Sequence, residues 1–179
     1  MSNIQLDFKQ QVSLDLTVRG RGGIVIYLAV WLITAVWSGI EQTNPIFFYL
    51  NTFLIAAIAV MRFVHYRLVM SRNLNAQSMY SCLVFLILIG ALHWGILSAW
   101  VIFGSSHQSL YYPYMMILSA LAIGGTAILS ISSTVRILYP LFISLPSVAM
   151  GIIIGGPENL VLVTLLTFAL LYVFETSRV

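Results

Sequence analysis

Few side chains in this sequence are equipped for chemistry. There are five acids, Asp7, Asp15, Glu41, Glu158 and Glu175, and none falls within a long apolar run. No paired carboxylates, nucleophile elbow, phosphate loop or Cys/His ligand cluster can be found. The single cysteine, Cys82, lies in an apolar run and can form no intrachain disulfide. The exception is His93, in Gly90-Ala91-Leu92-His93-Trp94-Gly95. An ionisable group in so apolar a setting is a site hypothesis by default. Either it contacts a ligand or responds to pH, or it is a neutral imidazole hydrogen-bonded to a neighbouring helix. The segment is not read as an enzyme, and no catalytic residue, cofactor or metal is expected in it.

Spacing indicates how these residues are held. Ala91, Gly95 and Ala99 recur every four residues, which suits close helix contact. His93 sits about 200° around the helix from Ala91 and Gly95, so it points to a different neighbour or a cavity. From Ser119 to Ser133, ten of the fifteen residues are Gly, Ala, Ser or Thr. They make two small rows, Ala120 with Gly124, and Ala122 with Thr126 and Ser130. Close backbone approach is the first role of such rows and ligand contact the second. Pro140 and Pro146 follow; each removes a backbone donor, favours a kink and frees a carbonyl that could line a pocket. A pocket is therefore expected between the small face of this fourth helix, the two prolines and the His93 side of the third. The candidate ligand-binding residues are His93, Trp94, Thr126, Ser130, Pro140 and Pro146.

The elements that position them are set by composition. Of 179 residues, 60% are hydrophobic and 7% charged, and the mean hydropathy is +1.00. A soluble domain carries roughly a quarter of its residues as charges, so lipid is the expected solvent. The net charge of +3 is spread along the chain and forms no patch, which argues against nucleic acid. Six apolar runs are each long enough for a hydrocarbon layer of about 30 Å. They lie at about Gly22–Ile40, Ile46–Val64, Met79–Phe103, Tyr112–Ser132, Ile137–Ile154 and Leu160–Phe174. No signal-peptide cleavage site follows the first run, which is read as an uncleaved helix. Polar or Gly/Pro-rich turns separate the runs; Thr134-Val135-Arg136 is read as the turn between the fourth and fifth.

Six spans put Lys9, Arg19, Arg21, Arg62, Arg67, Arg72, Arg136 and Arg178, all eight basic residues, on one side. By the positive-inside rule that side is cytoplasmic and holds both termini. The other side carries Glu41, Glu158 and His107, and Tyr111, Tyr112 and Tyr114 fit an outer aromatic belt. His65 and His107 are expected in solvent; the four Trp residues could line a pocket, with lipid or interface contact the first expectation. The apolar residues of 1–21 recur nearly every second position, which favours a strand, yet at helical spacing they cover a broad face. With Lys9, Arg19 and Arg21 the segment is read as interfacial. The organisation expected is an all-α integral membrane protein of six transmembrane helices in three hairpins, the fourth helix central. Residues 1–21 are the cytoplasmic or interfacial segment, 22–174 the membrane domain and 175–179 the start of a cytoplasmic linker.

The run from Leu121 to Ser130, LAIGGTAILS, the following Tyr139-Pro140-Leu141-Phe142 and Leu145-Pro146, and the segment Gly90 to Gly95 carry a resemblance. Over about Gly22 to Glu175 the chain resembles the N-terminal six-helix membrane sensor regions of proteobacterial histidine kinases and GGDEF/EAL cyclic-di-GMP signalling proteins. The resemblance implies a multi-pass protein of the bacterial inner membrane, a homodimer, and a sensory input that detects a small apolar or amphipathic signal. The last helix would pass that signal to a cytoplasmic kinase or cyclic-di-GMP module. It transfers no catalytic residue, because no output motif occurs in the chain. The partners expected are the lipid bilayer, a second copy and a small-molecule signal. The competing readings are a small-solute transporter or channel-like carrier, and a ligand-free membrane scaffold subunit.

Overall fold

The computed structural model describes residues 11–12, 14–71, 76–104, 111–129 and 131–176. Helices dominate the described residues, and none is in a strand. Six helices carry labels here: α1 (Arg21–Trp37), α2 (Pro45–Met70), α3 (Ala76–Ala99), α4 (Tyr111–Leu129), α5 (Ser133–Ile154) and α6 (Pro157–Thr176). Among the described residues, four stretches are long and apolar enough to cross a membrane: Pro45–Val69, Ser78–Phe103, Tyr112–Leu129 and Ser133–Ile154. The apolar parts of the other two helices are shorter, at Val25–Trp37 and Asn159–Tyr172. A helix bonds its own backbone groups, which is why so apolar a chain takes this form. Large side chains such as Phe53, Val60, Phe168 and Leu171 stay exposed along α2 and α6.

The chain forms two compact units, divided within α3 between Leu86 and Ile87. In the first, α1 and α2 make an antiparallel hairpin. At one end Trp31 is wholly buried, stacked on Phe48 at 6.0 Å and edge-on to Phe47 at 6.1 Å. Its indole N–H donates to Thr52 Oγ1 over 2.8 Å. The indole of Trp31 thus belongs to the core, not to a lipid interface. The connection is tight. Gly39, at φ 70°, takes the left-handed conformation that an L side chain resists. That ends α1 at Trp37, short of the expected Ile40, and Ile40–Thr43 forms a separate helical turn. Asn44 then caps α2, accepting from Phe47 N–H over 3.3 Å, with Pro45 in the first turn.

At the other end α2 continues past the expected stop at Val64 to Met70. Residues 14–19 are helical too, which decides that part of the segment against a strand, and Leu16 and Thr17 are buried.

In the second unit α4 and α5 pack on each other, and both touch α6 and the π-helical turn Trp100–Gly104 that continues α3. Three glycines set the spacing. A Cβ at Gly95 would lie 2.5 Å from the Phe142 carbonyl oxygen and 2.8 Å from that of Ile143. One at Gly125 would overlap the Tyr139 ring, and one at Gly151 would meet Val163 Cγ2 of α6 at 2.5 Å. The row of Ala91, Gly95 and Ala99 is buried as its spacing requires. On α4, the buried row is Ala122 and Thr126; Ala120 is exposed and Gly124 meets nothing within 4 Å. Tyr114 is buried at 0% exposure while Tyr112 is 76% exposed, because positions two apart lie on opposite sides of a helix. Only Tyr112 of that pair can join an aromatic belt.

The turn into α5 falls at 131–132, so Thr134, Val135 and Arg136 are helical instead of forming the turn. Ser132 is the reason: its extended backbone stops the incoming chain and its hydroxyl accepts from Val135 N–H over 3.3 Å. α5 stays one helix through both prolines. A Gly155-Gly156-Pro157 turn leads to α6, where Asn159 Nδ2 donates to Gly155 C=O over 2.7 Å. Lys9, Arg72, His107, Arg178 and Ser130 lie outside the described residues.

Candidate functional site

The second unit contains a small cleft of about 10 Å³, room for roughly one water. α4 contributes Ser119, Ala122 and Ile123; α5 contributes Pro140 and Ser144; α6 closes it with Leu166 and Leu170. Its position follows from the packing next to it. The Tyr139 ring rests on Gly125, and its hydroxyl donates to Leu121 C=O over 3.2 Å. That contact fixes the α4–α5 distance. Less than one turn away, the short side chains of Ser119 and Ala122 leave the gap that Pro140 and Ser144 do not fill.

The six residues expected at a pocket are distributed as follows. Pro140 lines the cleft. Thr126 is buried on the same side of α4, but its hydroxyl donates to Ala122 C=O over 2.6 Å and is turned onto its own helix. Pro146 packs against Gly95 instead. Trp94 is buried in the core and His93 half-buried, and neither lines the cleft. Ser130 lies outside the described residues. Of those described, only Pro140 lines this cleft, and α6 supplies its remaining wall. Ser119, Ser144 and the two leucines were missed. The pair Pro140 and Ser144, four residues apart on one face, was the available signal.

A second polar feature lies beside the α3–α5 contact. Pro146 has no N–H, so the Phe142 carbonyl loses its helical donor, and this is the oxygen that faces Gly95. Gly95 meets Phe142 to Pro146 and Phe103 meets Gly151, so α3 and α5 run parallel and Ser98 lies level with Ser147. Both serines are wholly buried, and neither Oγ has a hydrogen-bond partner. The hydroxyls of Thr126, Thr164 and Thr167, by contrast, all bond back to the carbonyl one turn earlier. His93 Nδ1 is also buried without a partner.

The first unit buries two basic side chains, of which His65 was expected in solvent. Arg62 is buried, and its Nη2 donates to Gly20 C=O over 2.9 Å. One turn further, His65 is buried with Nε2 2.9 Å from Met79 C=O. A carbonyl only accepts, so Nε2 carries the proton. The expectation of a solvated His65 fails because α2 continues as a helix and turns that face inward. Each bond joins α2 to another element, so both side chains serve packing.

Chemically, the cleft offers two hydroxyls among apolar walls. Its lining contains no acid, base or thiol. Among the described residues no three His, Cys, Asp or Glu side chains are grouped to hold a metal. Comparison with known protein families, with curated proteins and with solved structures found no match to this chain.

Proposed function

We propose that this chain is a membrane-embedded sensory input domain that detects a small apolar or amphipathic signal. The observation that carries the reading is the composition of the cleft wall: Leu166 and Leu170 of α6 close a gap built by α4 and α5. A ligand entering so small a gap must displace one of those helices, and α6 forms one wall of it. Two packings of one unit, biased by a bound molecule, are sufficient for signalling. In this reading the protein has six spans in three hairpins with both termini cytoplasmic, in the bacterial inner membrane. In this reading α6 also crosses the membrane, although its apolar part, Asn159–Tyr172, is shorter than those of α2 to α5. The exposed Arg19 and Arg67 share one end of the α1–α2 hairpin and Glu41 the other, in keeping with basic residues on the cytoplasmic side. A homodimer would deliver the signal to a kinase or cyclic-di-GMP module.

The test needs no ligand. In a Cys82→Ser background, a spin label at Glu175→Cys reports on the end of α6 in lipid nanodiscs. Ala122→Leu fills the cleft and should change the label's mobility, whereas Ala120→Leu, on the exposed side of the same helix, should not. Identical spectra for wild type and Ala122→Leu would overturn the reading.

A further inference from the structure

The cleft's floor is buried, with Ser144 only 1% exposed and Ala122 and Leu166 also covered. Its rim is open: Ile123 is 50% exposed, and Ser119 and Leu170 are half-buried. The opening therefore lies on a helix face that meets lipid if α4 spans the membrane. None of the lining residues is charged. An ionised head would lose its hydration there and gain no counter-charge. A hydroxyl or carbonyl fits the present volume and finds a hydroxyl partner in Ser144 or Ser119. Ser147, wholly buried and without a partner, lies one turn from Ser144 but beside the α3–α5 contact, and it does not line the cleft.

We propose that the cleft takes the uncharged terminal hydroxyl or carbonyl of a single-chain amphiphile. The molecule enters from the lipid phase and leaves its chain along Ile123 and Leu170. This assignment rests on the sensory reading, because it names the chemical class of that domain's signal. Binding opens the cleft between Ala122 and Pro140, and the wall that moves with it includes Leu166 of α6.

The test uses the full chain in nanodiscs and a straight-chain alcohol bearing a diazirine near its hydroxyl. Probes of equal length ending in a carboxylate or a trimethylammonium group are compared with it. The alcohol should label peptides containing Ser119 to Ile123 or Pro140 to Ser144, and excess decanol should suppress that labelling. Ser144→Ala should weaken the competition about fivefold, as loss of one hydrogen bond predicts. Ile123→Trp should block entry at the rim without disturbing the buried floor. Equal labelling by the charged probes, or labelling that decanol does not suppress, would overturn the assignment and mark the contact as general lipid exposure. So would full competition retained in both variants. If Ala122→Leu moves the α6 label but no alcohol-specific labelling occurs, the ligand class alone is wrong. If alcohol-specific labelling occurs while the α6 label stays still under saturating decanol, the sensory reading fails and the binding site stands.

Discussion

Replacing Gly95 with alanine tests the central contact of the second unit. The added Cβ would lie 2.5 Å from the Phe142 carbonyl oxygen, about 0.9 Å short of the 3.4 Å of ordinary contact. It would also stand 2.8 Å from the Ile143 oxygen and 3.0 Å from Pro146 Cγ. Two of these neighbours are backbone atoms and the third belongs to a ring, so no rotamer change relieves the overlap. The two helices must separate, and a radial gap of 0.5–1 Å forfeits a quarter to a half of each dispersion contact it touches. This puts the cost at the upper end of overpacking, about 3 kcal/mol. Alanine's better helix propensity offsets about 1 kcal/mol, leaving a net loss of about 2 kcal/mol. Gly124→Ala is the control, since a Cβ there meets nothing within 4 Å; it should be neutral or stabilising by up to about 1 kcal/mol. Unfolding in mixed micelles, followed by tryptophan fluorescence and circular dichroism, measures both. If Gly95→Ala is as stable as wild type, or the two variants behave alike, the close α3–α5 approach is wrong.

Three further outcomes follow from the same packing. Tyr139→Phe removes the bond to Leu121 and should cost about 1 kcal/mol; Gly125→Ala displaces the whole ring and should cost more. The double variant should then fall short of the sum of the two, in the same unfolding assay. His65→Ala deletes the bond to the Met79 carbonyl and should lower stability by about 1 kcal/mol. Hydrogen exchange should speed up at the start of α3 and stay unchanged in α5. For the proposed topology, Gln108→Cys in a Cys82→Ser background should react with an impermeant maleimide in intact cells, and Arg67→Cys only after permeabilisation.

What could be read from the sequence, and what could not, follows from the solvent. In water a helix announces its buried face by the contrast between apolar and polar residues. In lipid both faces are apolar, so that contrast disappears. The contacts that remained legible are those where residue type departs from the background. Gly95, flanked by Ala91 and Ala99, declared a close approach, and Pro140 declared a position without a backbone donor. Leu166 and Leu170 could not be told from Leu165 or Leu171, yet the first pair lines the cleft while the second is exposed. His93, the one residue whose chemistry stood out, does not line that cleft. Polar residues misled in the opposite way at the end of α2. Arg62 and His65 read as the end of a span, but a long guanidinium stem can bury itself while its head finds a backbone carbonyl, here that of Gly20. A basic residue in this chain is therefore a poor marker of a helix end. Helix ends are better read from caps, and Asn44 and Ser132, whose side chains accept from the first turns of α2 and α5, mark them where the charges do not.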